Sequence, residues 1–148
     1  MSIRIANRAD VPVILELVKE LATFERAPLE VVNSVDELEH DLFDLQCCEA
    51  IVYEENNIVV GFALYYISYS TWKGKCMYLE DLYVQQAFRK SGIGQLLFDA
   101  VVATAKERKF RRMDWQVLDW NEPAIKFYKK NNAHLDPEWL NGRLFFTY

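Results

Sequence analysis

The stretch YLEDLYVQQAFRKSGIGQLL, residues 78–97, decides how the chain is read. It opens as a strand-like run with two adjacent carboxylates, Glu80 and Asp81, in its middle. Eight residues after Asp81 come Arg89, Lys90, Ser91, Gly92, Ile93 and Gly94, and then an amphipathic helical pattern begins. A strand, a basic glycine-punctuated turn and a helix start together make an anion site. Amide N–H groups at a helix N-terminus lack intrahelical acceptors, and the helix dipole adds partial positive charge. Arg89 and Lys90 add full charges. The spacing fits neither GxxxxGK[ST] nor GxGxxG, because position 97 is Leu97. The alternative is a glycine-rich helix start that only turns the chain. An alternating strand sends Glu80 and Asp81 to opposite faces. One of them then faces a covered side or a cleft, where an unpaired charge is costly.

Working outward, residues 2–6 read as a short strand. Asp10 is placed to cap a helix with Pro12 in its first turn. Ile14, Leu17, Val18 and Leu21 fall at i, i+3, i+4 and i+7, one apolar stripe. Residues 24–33 read as a loop. Ser34 and Glu37 form a capping-box pattern before a second stripe of Leu38, Leu42 and Leu45. Residues 50–53, the turn EENN and residues 58–69 read as a hairpin. A loop at STWKGK and a strand over 76–84 lead into the opening motif. Beyond it lie a helix over 93–108, a strand over 112–118, a helix over 121–131 with Pro123 near its start, and a last strand over 144–148. The order βααβββαβαβ describes a mixed α/β chain, and no linker or repeat interrupts one expected domain over 1–148.

The 148 residues suffice for a sizeable core, and 51% hydrophobic content argues against disorder. A net charge of −5 disfavours general nucleic-acid binding. The three cysteines, Cys47, Cys48 and Cys76, are odd in number and show no CxxC spacing. Neither a disulfide framework nor a metal site is expected, and a reducing, cytoplasmic compartment is. No signal peptide or apolar run of membrane-spanning length is visible.

Arg89-x-x-Gly92-x-Gly94, after Val84, resembles the Q/R-x-x-G-x-G/A acyl-CoA signature of the GNAT superfamily of N-acyltransferases. With YLEDLYV, WNEPAIKFY and VGFALYYISYSTWKGK, the likeness extends to the diamine (spermidine/spermine) N-acetyltransferase subfamily and runs as far as GRLFF. The resemblance implies a GNAT fold, with a central, mostly antiparallel sheet flanked by helices, and acetyl transfer from acetyl-CoA to a primary amine. It implies that Arg89, Lys90, Ser91, Gly92, Ile93 and Gly94 hold the cofactor diphosphate, that backbone groups near Leu82 and Val84 meet the pantetheine, and that Asn121 and Tyr128 lie beside the cofactor. Tyr128 becomes the acid that protonates the departing thiolate. Glu80 accepts the substrate proton, and Asp81 assists it or holds the amine. A homodimer is also implied, with the C-terminal tail of relatives shortened in this chain.

The chemistry accounts for these groups. An ammonium of pKa near 10.4 is deprotonated in about one molecule in 2,500 at pH 7, a cost of about 4.6 kcal/mol, so a proton acceptor is valuable. Direct attack on the thioester needs no protein nucleophile. Trp72 and Trp120 match tryptophans of the subfamily and either wall an amine channel or pack as core aromatics. Glu25 either binds a distal ammonium or is a solvated loop acid. Ser70 stands where the family often has an aspartate, which favours an amine shorter than spermine; an amino-acid amine such as thialysine is the enzymatic alternative. A non-catalytic acyl-CoA-binding module is the alternative of another class. Cys47 and Cys48 have no histidine placed beside them, His40 and His134 are isolated, and the basic cluster over 106–112 suits a helix C-terminus.

Overall fold

The computed structural model describes residues 2–148. The chain runs β1 (Ser2–Ile5), α1 (Val11–Phe24), α2 (Val35–Glu39), β2 (Glu49–Glu55), β3 (Ile58–Ser70), β4 (Gly74–Val84), α3 (Ile93–Glu107), β5 (Met113–Asp114) and α4 (Glu122–Lys130). Two compact units emerge, one ending at Gln116 and the other spanning Val117–Tyr148.

The first unit holds a five-stranded sheet in the order β1-β2-β3-β4-β5. Neighbours from β1 to β4 are antiparallel, and β5 is parallel to β4. The β2–β3 hairpin closes at Asn56 and Asn57, with φ of 52° and 63°. That is the left-handed pair a two-residue type I′ turn requires, and Asn tolerates it well. Phe62, Leu64 and Tyr83 turn one face of the sheet to a core that also holds Ile14, Leu17, Leu38 and Leu42 of the first two helical segments. The expected α1 stripe is borne out: Ile14 and Leu17 are fully buried, and Val18 and Leu21 pack at its border. Each such burial contributes about 1.5–3 kcal/mol. Gly61 belongs to the other face, where Leu97 of α3 comes close.

Three local expectations are corrected. Asp10 makes no side-chain cap on α1. Its carboxylate turns back to accept from the Asn7 amide (2.8 Å) and from both terminal nitrogens of Arg4 (2.7 and 2.9 Å); a guanidinium fork outcompetes one helix amide. Leu45 is exposed although Leu38 and Leu42 are buried. The turn His40–Asp44 is π-helical, and its wider turn carries the next position off the stripe. The strand expected over 112–118 shrinks to Met113–Asp114, paired only with Met77 and Tyr78.

That last change has its cause in β4. Leu64 lies opposite Asp81, while the next residue, Tyr65, lies opposite Leu79. Glu80 is therefore the extra residue of a β-bulge. A bulge bends its strand and disrupts pairing beside it, so the parallel ladder with β5 stops two residues short of Glu80.

In the second unit α4 begins at Asn121, whose side chain accepts from the Ala124 amide (3.3 Å), with Pro123 in the first turn. It ends at Asn131, followed by Asn132 at φ 65°. Asparagine stop signals there act as expected. The strand expected over 144–148 does not form. Leu144, Phe145, Phe146 and Tyr148 are exposed and pair with no strand among the described residues, and a β-prone run without a ladder is not a strand.

Candidate active site

The bulge changes the geometry of the two adjacent acids. In regular alternation they would part, but two bulged residues opposing one partner share a side. Asp81 stands opposite Leu64, on the face that carries α1. Glu80 joins it there: the Tyr66 hydroxyl, from the position after next on β3, donates to Glu80 Oε1 at 3.5 Å. Glu25, just past the end of α1, completes the cluster, for its field reaches Asp81 and that of Glu80 reaches both. The expectation that Glu80 and Asp81 point apart is thus corrected.

The electrostatics follow. Asp81 is half-buried, and its carboxyl is pushed up to about 7, first by burial and then by the negative charges of Glu80 and Glu25. Burial and Glu80 also raise Glu25. Glu80 itself is exposed. Tyr66 and Tyr78 stack beside the acids with ring centroids 5.1 Å apart, an aromatic neighbour that composition alone does not reveal.

The donor loop begins where β4 ends. The Gln85 amide donates to Val60 O (2.9 Å), towards β3. Backbone groups alternate along a strand, so those of Leu82 and Val84 turn to the opposite edge, where β5 pairing has already ended. Lys90 and Gly92 both take positive φ, 65° and 87°. Gly92 starts α3 with no side-chain cap, leaving the Ile93 and Gly94 amides without an intrahelical acceptor. A Cβ at Gly92 would meet nothing within 4 Å, yet the backbone there is one that side chains rarely adopt. An open, uncapped cradle beside an unladdered strand edge fits a diphosphate with an extended arm. Ser91 Oγ donates to Phe88 O (2.6 Å). Arg89 is committed differently from the charge-on-phosphate expectation: its Nε donates to Val84 O (2.9 Å) and its guanidinium lies over the rings of Phe24 and Tyr83. Arg89, Phe24, Tyr83 and Glu20 border an open cleft of about 420 Å³ along α1.

The first unit therefore brings together Glu25, Glu80 and Asp81, and separately the loop from Arg89 to Gly94. Trp72 is not with them. It stands 88% exposed at the β3–β4 tip, and about 20 Å of strand separates Gly74 from Glu80. The second unit carries a half-buried Trp120, a buried Asn121 engaged as the α4 cap, and a buried Tyr128 whose ring meets Phe127 edge-on at 5.3 Å. Cys48 is no nucleophile: burial, with Cys47 beside it, pushes its thiol up to about 11. His40 pairs with Asp44 at 3.0 Å, and Arg108 with Glu49 at 2.6 Å, both outside the site. Among the described residues no cluster of three or more ligating side chains could hold a metal, and no helix is long and apolar enough to cross a membrane.

Comparison with known proteins gives the family. Residues 15–133 match the acetyltransferase (GNAT) family. The chain is 38% identical over 140 residues to a thialysine N-epsilon-acetyltransferase of Bos taurus, covering 88% of this chain and 82% of that protein. It is 34% identical to human spermidine/spermine N(1)-acetyltransferase-like protein 1, covering 88% of this chain and 20% of that longer protein. Its fold matches the crystal structure of a possible acetyltransferase from Clostridium difficile 630 with a TM-score of 0.83, at 22% identity and 98% coverage of both chains.

Proposed function

The chain belongs to the GNAT family of acetyltransferases, and from that premise we propose that it acetylates a primary amine of a small polyamine- or diamine-like molecule, acting as one domain. The observation that carries the reading is the bulge that sets Glu80 beside Asp81, on the face of Glu25, just before the uncapped start of α3.

Acetyl-CoA, when bound, supplies a thioester whose leaving group is a thiolate. The amides of Ile93 and Gly94, with Lys90, Ser91 and the open Gly92, receive its diphosphate. Leu82 and the Val84 amide offer the outer strand edge to its arm, and the resemblance assigns Asn121 and Tyr128 of the second unit to the cofactor as well. The acid pair withdraws the ammonium proton. The resemblance names Glu80 as acceptor; the carboxyl of Asp81, held near 7, is the base better matched to neutral pH. Glu25 neutralises a second positive charge of the amine, and Trp120 is the tryptophan that the resemblance assigns to the amine. Tyr128 Oη returns a proton to the departing sulfur. Trp72, so far from the acids along its own strand, serves the channel only from a second copy, which agrees with a homodimer; sedimentation velocity tests that assembly. Three free cysteines suit a reducing, cytoplasmic setting.

A second reading, acetylation of an amino-acid side-chain amine such as that of thialysine, is favoured by the coverage and identity of the bovine relative and by Ser70 in place of a channel aspartate. Thiol release from acetyl-CoA, measured against putrescine, spermidine, spermine, thialysine, lysine and a lysine peptide, separates the two. Release with a diamine or polyamine supports the first, and selective release with thialysine the second. Coenzyme A binding without release for any amine would point to an amine outside this panel or to a non-catalytic acyl-CoA-binding module.

A further inference from the structure

Arg89 opens the donor loop, yet its side chain reaches back instead of outwards. Its Nε donates to Val84 O at 2.9 Å, and its guanidinium carbon lies 5.2 Å from the Phe24 ring centre and 5.3 Å from that of Tyr83. Tyr83 is buried and fixed by its hydroxyl on Glu20 Oε1 (3.1 Å); Glu20 also accepts from Gln85 Nε2 (3.1 Å). One wall of this sandwich is therefore rigid. The other, Phe24, is the last residue of α1 and is 40% exposed. A phenyl ring left that open at a helix end contributes little to the core, and its face is spent on a cation. The next residue is Glu25, whose field acts on Asp81.

We propose that Phe24 is a positioning residue that closes the sandwich on Arg89, so that the last turn of α1 ties the donor loop to the acid cluster. The inference rests on the acetyl-CoA reading of the loop for its purpose, but not for its geometry. With Arg89 held by two rings and by Val84 O, the loop keeps the positive φ at Lys90 and Gly92 that exposes the α3 amides. The same turn fixes where Glu25 leaves the helix. Filling the donor loop is then felt at Glu25 without any contact between ligand and acid.

The test uses the full chain as wild type, Phe24→Leu, Phe24→Trp, Arg89→Gln and the Leu/Gln double variant. The first readout is hydrogen exchange without ligand. The amides of Phe88, Arg89 and Leu96 are hydrogen-bonded within the loop and helix start, and those of Glu25 and Ala27 within the end of α1. Phe24→Leu should speed exchange at the loop amides severalfold, and Phe24→Trp should restore protection. The second readout is the coenzyme A dissociation constant by calorimetry. It should rise about two- to fivefold in Phe24→Leu, recover in Phe24→Trp, and not rise further when Leu is added to Arg89→Gln. Coenzyme A should also slow exchange at Glu25 and Ala27 in wild type but not in Phe24→Leu. Unchanged loop exchange in Phe24→Leu, an unchanged dissociation constant, or multiplicative effects of the two substitutions would overturn the proposal. Failure of wild type to bind coenzyme A would instead remove the acetyl-CoA reading, and the ligand-free exchange would still decide whether the clamp exists.

Discussion

Asp81→Asn should make the protein more stable at alkaline pH while disabling it. The Asp81 carboxyl lies at about 7 against an ordinary value of 3.8. The folded state therefore binds its proton more tightly than the unfolded state does. Below pH 3.8 both states are protonated and nothing is lost. As pH rises from about 4 to about 7 the unfolded chain ionises first, and the folded state falls behind by about 1.4 kcal/mol per pH unit. Above pH 7 the deficit is complete, at about 4 kcal/mol. Asparagine has nearly the same shape and never ionises, so it removes the deficit. Urea denaturation of both proteins at pH 4 and pH 8 measures it. The variant should match wild type at pH 4 and exceed it by about 2–4 kcal/mol at pH 8, with thiol release strongly reduced. Equal stability of the two proteins at pH 8 would falsify the claim that burial and the neighbouring acids load this carboxylate with unfavourable charge.

Three further outcomes are expected. In wild type, kcat/KM should rise through an acid limb near pH 7, and Glu25→Gln should move that limb to lower pH, because Glu25 is one of the charges that raise Asp81; a pH–rate profile of each reads this directly. Asp10→Asn should cost about 2–3 kcal/mol at pH 7, since it breaks a nearly buried acid away from Arg4 and the Asn7 amide. Arg4 holds the Asp10 carboxyl below its usual range, so the stability it contributes is whole above the unfolded pKa near 4. It disappears as pH falls through the folded value, and the gap between variant and wild type should close in acid denaturation. Gly61→Ala should destabilise by about 1–3 kcal/mol in chemical denaturation, because its Cβ would meet Tyr83 O at 3.1 Å and Leu97 Cδ1 and Val84 Cγ2 at 3.3 Å.

Much of the fold was legible because its signals are periodic. The stripe through Ile14 and Leu17, the paired asparagines of the hairpin turn and the glycines before α3 each state a local geometry that packing then kept. What escaped were one-residue irregularities. The π-helical turn over His40–Asp44 leaves no mark in a leucine pattern, so the pattern alone puts Leu45 inside. The bulge did leave a trace. Before it, Tyr78 and Glu80 share the α1 face at even positions; after it, Asp81 and Tyr83 share that face at odd ones. Two adjacent polar residues in an apolar strand mark that change of parity, and regular alternation could not reveal it. The sequence beside Asp10 suggests a helix cap because its true partner, Arg4, comes from a neighbouring strand and not from the helix it precedes. The short β5 and the unformed strand over 144–148 depend on which edges are available, which residue preferences do not encode.

The bulge also limits how the chain can change over generations. Any odd-numbered insertion or deletion between Cys76 and Glu80, or between Asp81 and Val84, would exchange the two faces of one half of the strand. The acids, or the tyrosine that fixes the donor loop, would then be delivered to the side of α3. Side chains along β4 can drift provided their size and charge suit their face, but the count of residues cannot. In this strand the number of residues constrains the faces more than their identity does, and a variant that trims Glu80 to tidy the sheet would gain a regular ladder and lose the proposed acid pair.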